Sequence, residues 1–425
     1  MINRLNILTV VFCFLFYFGH ASPTKEIRAD VCIYTATGSG ILAALADQRE
    51  GKSVVIVEPG KWVGGILGAG IKPIQDCPNF DAVGGTTREL MKVLGMKGKS
   101  GDDSGSELRK AMRQISPLDI RNDFLAVLKK HNIRVLYDHR IGRTEKKGTD
   151  ITAAWFDLAP FDQRGLPPAQ AERKENLVVH ALVYIDASYD GELMARSAVS
   201  YRFGRENAQD FAEDLAGVRE ATNLTPIDPY IMKGQKETGL LPLLNTDHGF
   251  GIGSGDYYTQ AYNFRFYVTA DSQYKISFAR PQNYDPSQFE LVGRYAEYLV
   301  GLIADREKLT KSLQDIFPGW MNAGEYNYQR DALITMAPVG VSHLYINGDY
   351  ATKRDIWQWT CNSLLDIFFK QASERCKNRI PVEQEFGNSS LNAFAADCTS
   401  PRYTRRWTTG LRPGSENQYG SPIHF

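Results

Sequence analysis

The chain carries no excess of either charge. Its 49 Lys and Arg side chains balance 49 Asp and Glu, so the formal net charge is zero. That balance removes the basic footprint expected of a nucleic-acid binder. Histidine is scarce and scattered. The seven residues form no HxxxH or HxH arrangement, so no metal site is expected. Cysteine gives no framework either. Cys13 lies in the N-terminal apolar run, and Cys32, Cys77, Cys361, Cys376 and Cys398 remain, an odd set without metal-ligand spacing. A Cys361–Cys376 bridge is conceivable in an oxidising compartment, and sequence leaves it open. Cys32 sits in an apolar strand and reads as a buried free thiol.

Long apolar runs are also missing, with one exception at the start. Arg4 supplies a positive n-region, Leu5 to Phe18 is apolar, and Gly19-His20-Ala21 offers small residues at cleavage spacing. Residues 1–21 therefore read as a signal peptide cut after Ala21, which implies an exported, secreted or periplasmic protein. The run is short for a full membrane span. Cys13 lacks a lipobox-like context. No stable span is expected after the signal is removed.

What is present centres on Ala29 to Gly65. Asp30 to Tyr34 is a short apolar strand, and Thr35 to Gly40 is a small-residue loop. Ile41 to Arg49 has helical spacing, Gly51 stops it, and Val54 to Val57 is a second strand that ends in Glu58. Strand, small-residue turn, helix, strand, acid is the order of a dinucleotide-binding βαβ unit. The loop must be small so that the backbone can approach a pyrophosphate. The helix N-terminus offers free N–H groups and a positive dipole end. Glu58 follows the loop by about 20 residues, where an acid holds ribose hydroxyls. The three glycine places of the fingerprint fall on Thr35, Thr37 and Gly40, of which only the last is glycine; Gly38 is out of register and Ser39 lies between them.

Further on, Trp62 to Gly70 is dense in glycine, including Gly64 and Gly65. Such density suits close backbone approach to a flat ligand. Asp119 to Lys130 has helical spacing, and Ile133 to Tyr137, Ile151 to Asp157 and Leu177 to Ile185 read as strands around a hairpin loop at Phe161 to Glu175. The last strand runs into Asp186-Ala187-Ser188-Tyr189-Asp190-Gly191-Glu192 and a helical stretch from Leu193 to Ala198. A second strand that delivers small and acidic residues to a helix start makes a two-sided nucleotide crevice. Gln260 to Val268 alternates as a strand, and Ser287 to Arg306 and Lys353 to Gln371 look helical. Leu344 to Asp349 has the form of an apolar run followed by Gly-Asp, but no small-residue helix follows, so it is not assigned to flavin.

The chain resembles the FAD-dependent oxidoreductase family that includes secreted, xanthan-lyase-like proteins. The resemblance rests on DVCIY…GSGILAALADQREGKSVVIVEP, WVGGILGAGI, YIDASYDGELMARSAVSYRFGRE and QAYNFRF, and runs from about Asp30 to about Gln371. It implies FAD as cofactor and an α/β fold: a Rossmann-like FAD-binding domain of glutathione-reductase type with an inserted α+β substrate domain. The implied division is 22–201 for the FAD-binding domain, 202–330 for the substrate side, 331–397 for a helical region and 398–425 for an irregular tail. The C-terminal part reads as incomplete, because the family's later flavin-completing segment has no counterpart here.

The carry-over gives Gly40 as the third loop glycine, Thr37 at a place where the family often has Thr, and Glu58 as the ribose acid. Gly64 and Gly65 match a flavin-contacting loop, and Asp186 and Ala187 match the strand end over the dinucleotide. Thr35 departs from the family's glycine, and its β-branched side chain is expected to crowd the pyrophosphate. Substrate-side candidates are His248, Asn263 and Arg265, the last placed to stabilise a reduced flavin anion or orient a polar substrate. The catalytic residue is not fixed. Two functions follow: an exported FAD-dependent oxidoreductase for a small polar, carbohydrate-like substrate, or a non-catalytic exported protein that keeps the nucleotide-binding half without flavin. Oligomeric state and electron acceptor are not legible.

Overall fold

The computed structural model describes residues 23–69, 79–95, 115, 117–162, 165–220, 227–242, 244, 250–260, 262, 265–269, 284–305, 308–309, 325–327, 340–360, 362 and 423–424. The first half alternates strands and helices: β1 Lys25–Tyr34, α1 Gly38–Arg49, β2 Val54–Val57, α2 Gly65–Gly68, α3 Gly85–Met91, α4 Pro117–Lys130 and β3 Arg134–Leu136. Three longer strands follow, β4 His139–Lys147, β5 Asp150–Leu158 and β6 Arg173–Asp186, then the short helix α5 Glu192–Arg196. Later come β7 Arg265–Thr269, α6 Glu290–Leu302, β8 Glu325–Asn327, a helix α7 over 350–360, and β9 Ile423–His424. β8, β7 and β9 form a small antiparallel sheet.

The main sheet has six strands in the order β3-β2-β1-β6-β5-β4. β1 lies parallel to both β2 and β6, with Tyr34 opposite Val57 on one side and Asp186 on the other. β2 is parallel to β3, whereas β5 runs antiparallel to β6 and β4. The register brings the C-terminal ends of β1, β2 and β6 to one edge. Thr35, Glu58 and Ala187 follow directly from those ends. In an open parallel sheet this edge is where ligands bind.

The second half of β1, Val31 to Tyr34, is buried on both faces, as the core of a central parallel strand must be. Val31 and Ile33 point into one core with Ile41, Ala44 and Leu45 of α1 and Ile120, Phe124 and Leu128 of α4. Cys32 and Tyr34 point to the opposite core with Ile141, Phe156, Leu177 and Leu193. The alternation follows from the period of two along a strand. Each fully buried Ile, Leu or Phe contributes roughly 1.5–3 kcal/mol, so the two cores together fix the sheet edge that bears the site.

Against the sequence reading, β1 begins earlier, at Lys25, and α1 begins at Gly38 rather than Ile41. The helix starts early because Thr37 caps it; its side chain accepts from the Gly40 amide. β4 has no counterpart in the sequence reading. Its end is charged and exposed at Glu145 to Lys147, and it forms an edge of the sheet, so only its first half carries an apolar signal. The strand expected over Gln260 to Val268 is observed as Arg265–Thr269, and the helix expected over Ser287 to Arg306 as a 3₁₀ turn followed by α6.

Candidate functional site

The loop after β1 is stitched to its surroundings residue by residue. The Thr35 amide donates to Val57 O at 2.8 Å, and the Gly64 amide donates to Ala36 O at 2.7 Å. Thr37 Oγ1 donates to Ala187 O at 2.9 Å while accepting from the Gly40 amide at 3.2 Å. Ser39 Oγ lies 2.9 Å from the same hydroxyl, exposed at the helix tip. The Ala187 amide returns a bond to Tyr34 O at 3.0 Å. The loop thus joins β1, the Gly64 turn and the end of β6 in one frame. A Cβ on Gly40 would run into the Thr35 carbonyl and press on Ala187, so glycine is required there by close approach.

Thr35 holds a left-handed backbone with φ +76° and is only 7% exposed. Its hydroxyl is buried and has no hydrogen-bond partner among the described residues. The β-branched side chain therefore sits in a conformation that favours glycine. Gly64 and Gly65 have φ values of +91° and +51°. A side chain at Gly64 would overlap the Phe124 ring, and one at Gly65 would overlap the Tyr189 hydroxyl. That hydroxyl accepts from the Ile66 amide at 2.8 Å, which locks the Gly-rich turn against the loop after β6.

Glu58 already holds two backbone groups. Oε2 accepts from the Ala36 amide and Oε1 from the Gly60 amide, each at 2.7 Å. Burial pushes its pKa up to about 7; the two amides oppose the shift and the Asp138 charge adds to it. Each carboxylate oxygen retains a further lone pair for a ligand hydroxyl.

These residues border a cavity of about 650 Å³. Thr35, Thr37, Glu58 and Gly65 line it directly. Gly38, Ser39, Gly40, Gly64 and Ala187 stand around that wall and shape it. Asp186 braces the turn into α5 instead. Its Oδ1 accepts from Ser188 N at 2.9 Å and Ser188 Oγ at 2.7 Å, and its Oδ2 accepts from Met194 N at 2.8 Å. His248 and Asn263 lie outside the described residues, and Arg265 is placed only as a backbone position that pairs with His424 in β9.

The far wall comes from residues that sequence reading did not select. Lys353 on α7, 8% exposed, bonds Asp190 Oδ2 at 2.9 Å and Glu192 Oε1 at 2.5 Å. Glu192 Oε2 accepts from Tyr34 Oη at 2.9 Å. Tyr350 donates to Ile141 O at 2.6 Å, and the Arg140 guanidinium stacks 3.8 Å from its ring centre. Burial lowers the affinity of Lys353 for its proton, but Glu192 and Asp190 outweigh this and raise its pKa. Burial and the Glu192 charge keep Tyr34 protonated. Tyr345, in the Leu344 to Asp349 segment not assigned to flavin, also lines the cavity, and α7, which follows it, is not a small-residue helix. The only advance signal was the acidic run Asp190-Gly191-Glu192.

A family model described as FAD dependent oxidoreductase matches residues 30–398. The chain belongs to the FAD-dependent oxidoreductase family. FAD is its cofactor. No curated protein matches the chain. Among solved structures it is similar to a flavin monooxygenase mutant from Stenotrophomonas maltophilia, at 14% identity, 38% coverage of each chain and a TM-score of 0.23. It is also similar to L-proline dehydrogenase from P. horikoshii, at 11% identity, 44% coverage of this chain, 59% of that chain and a TM-score of 0.27. A third is 3-ketosteroid-Δ4-(5α)-dehydrogenase from Rhodococcus jostii RHA1, at 13% identity, 39% and 47% coverage and a TM-score of 0.23. The chain spans between 38% and 59% of the length of these three.

The residues present fit FAD. The tip of α1 at Gly38 and Ser39, with the exposed Ser39 hydroxyl, suits a pyrophosphate, and the Thr37 hydroxyl and the close approach at Gly40 hold that tip in place. The Glu58 carboxylate suits a ribose.

Proposed function

We propose that this chain is an exported FAD-dependent oxidoreductase that oxidises or reduces a small polar, carbohydrate-like substrate. The observation that carries this reading is the convergence of Thr35, Thr37, Glu58 and Gly65 on one cavity at the C-terminal edge of the parallel strands. FAD, when bound, supplies two-electron redox chemistry. The chain's own residues bind and orient. Gly38, Ser39 and Gly40 present the helix tip to the pyrophosphate. Glu58 accepts the adenosine ribose hydroxyls. Gly64 and Gly65 bring backbone close to the ligand, and Ala187 with Asp186 closes the strand end beside it. The glutathione-reductase type of dinucleotide domain and an inserted substrate side belong to the same reading. His248, Asn263 and Arg265 are its substrate-side candidates.

Export rests on the n-region, apolar run and small-residue site of residues 1–21. Among the described residues no helix is long and apolar enough to cross a membrane.

One observation favours the second reading, a non-catalytic relative that has lost flavin. Thr35 strains the loop at the pyrophosphate site. Colour separates the two. Purified mature protein with FAD supplied should show flavin absorbance near one equivalent per chain. Colourless protein that ignores added FAD overturns the oxidoreductase reading.

A further inference from the structure

The cavity is chemically divided. At one end lie Thr35 and Thr37 of the loop and Glu58. Around Phe161 the lining is mainly apolar, with Pro59, Ala159, Pro168, Ile356 and Trp357, and Lys61, Arg140 and Thr360 are its polar members. A dinucleotide whose pyrophosphate sits at the α1 tip and whose ribose meets the acid must run its base past that acid. A chain of contacts leads the same way. Lys61, three residues after Glu58, donates to Phe161 O at 2.8 Å. The Phe161 ring meets Trp357 edge-on, with centroids 5.7 Å apart and planes at 89°.

We infer that Trp357 and Phe161 form the wall for the adenine of FAD, so that α7 completes a nucleotide site begun by the first βαβ unit. This rests on the FAD-binding reading of the same cavity. A flat heteroaromatic ring is the ligand that an apolar, aromatic-walled slot selects. The wall is fixed in place. Lys353, one turn before Trp357, is held between Asp190 and Glu192, and Tyr350 is bonded to Ile141 and covered by Arg140. α7 therefore stands on the frame of β4 and the loop after β6.

The test uses the full mature chain freed of flavin and titrated with ADP, FAD and FMN by calorimetry. ADP carries the adenine and pyrophosphate without flavin, and FMN carries flavin without adenine. Trp357→Ala should weaken ADP and FAD by the same factor, about tenfold, or ~1.4 kcal/mol, and leave FMN unchanged. Trp357→Phe, which keeps a ring, should bind ADP within about threefold of the parent by the same measure. ADP should quench tryptophan fluorescence in the parent and quench it less in Trp357→Phe. Phe161→Leu should repeat the ADP loss, and thermal melts of all three variants check folding. Unchanged ADP affinity in Trp357→Ala and Phe161→Leu overturns the adenine wall alone. A parent that binds neither ADP nor FAD overturns the wall and the FAD-binding reading together.

Discussion

Replacing Thr35 by glycine should stabilise the fold. A left-handed backbone costs a residue with a Cβ about 1–2 kcal/mol, and Thr35 holds φ +76°. Its hydroxyl is buried and unpartnered among the described residues, a state that costs roughly 1–3 kcal/mol. Against these gains, glycine adds about 0.5–1 kcal/mol of backbone entropy to lose on folding. The buried methyl forfeits about 0.8 kcal/mol. The balance favours Thr35→Gly by about 1–2 kcal/mol, a rise of roughly 1–2 °C in Tm for a chain of this size. Thr35→Ala separates the contributions, because it removes the hydroxyl and keeps the Cβ; glycine should exceed alanine by about 1 kcal/mol. The assay is urea unfolding of apoprotein followed by circular dichroism. A Thr35→Gly variant less stable than the parent would show that the strain reasoning is wrong. Flavin content per chain, with FAD supplied during purification, reads the same residue from the ligand side. It should rise in Thr35→Gly if the branched side chain crowds the pyrophosphate. A fall would make the hydroxyl a ligand-binding group.

Glu58→Ala should weaken FAD by roughly tenfold to a hundredfold, since charge-assisted bonds are worth about 1.5–3 kcal/mol; equal affinity in a fluorescence titration places the nucleotide elsewhere. Because burial lifts the Glu58 pKa from 4.5 to about 7, the folded apoprotein binds its proton more tightly than the unfolded chain. Its contribution to stability therefore falls as pH rises from about 4.5 to about 7 and levels off above, by up to ~3 kcal/mol. FAD, which pairs with the ionised acid, should bind more tightly over the same rise, and Glu58→Gln should flatten both profiles; an unchanged profile in that variant refutes the assignment. Lys353→Met leaves Asp190 and Glu192 without their buried cation and should cost about 3–5 kcal/mol; urea unfolding with no change would mean that the cluster is not held in solution. Val10→Asp with Val11→Asp should break the apolar run and retain the precursor inside the cell; unchanged export by fractionation contradicts the signal reading.

The first βαβ unit was legible because its signals are local and agree with one another. Val54 to Val57 is observed at the expected residues, and α4 covers the expected Asp119 to Lys130. The antiparallel pairing of β5 with β6 follows from the hairpin loop between them. β4 was not legible. Its buried residues are Arg140 and Ile141, Thr144 and Lys146 bond Arg196 O and Ser197 O at the end of α5, and the strand finishes on the exposed Glu145, Lys146 and Lys147. Tertiary pairing decides such a strand, and local propensity is silent on it.

The site divides in the same way. Thr35, Thr37 and Glu58 stood out because the chemistry of a phosphate loop dictates small residues at fixed spacing from an acid, and Gly65 because glycine is dense from Trp62 to Gly70. Lys353 and Tyr350 were not, because nothing within one turn of either explains them. Lys353 reads on its own as a surface cation at a helix start. Its meaning comes from Asp190 and Glu192, more than 150 positions earlier. Gly191 between those acids has φ +66°, which turns both carboxylates toward the same ammonium. An acidic pair around a glycine at a strand end is therefore a demand for a buried cation from elsewhere in the chain. Sequence states the demand and leaves the donor unnamed, because loop closure over such a span depends on the whole fold. The same reasoning holds for Trp357, which lies in the helical stretch expected over Lys353 to Gln371. Its periodicity is that of any packed helix, and only the placement of α7 on the cavity wall with Glu58 sets that one position apart.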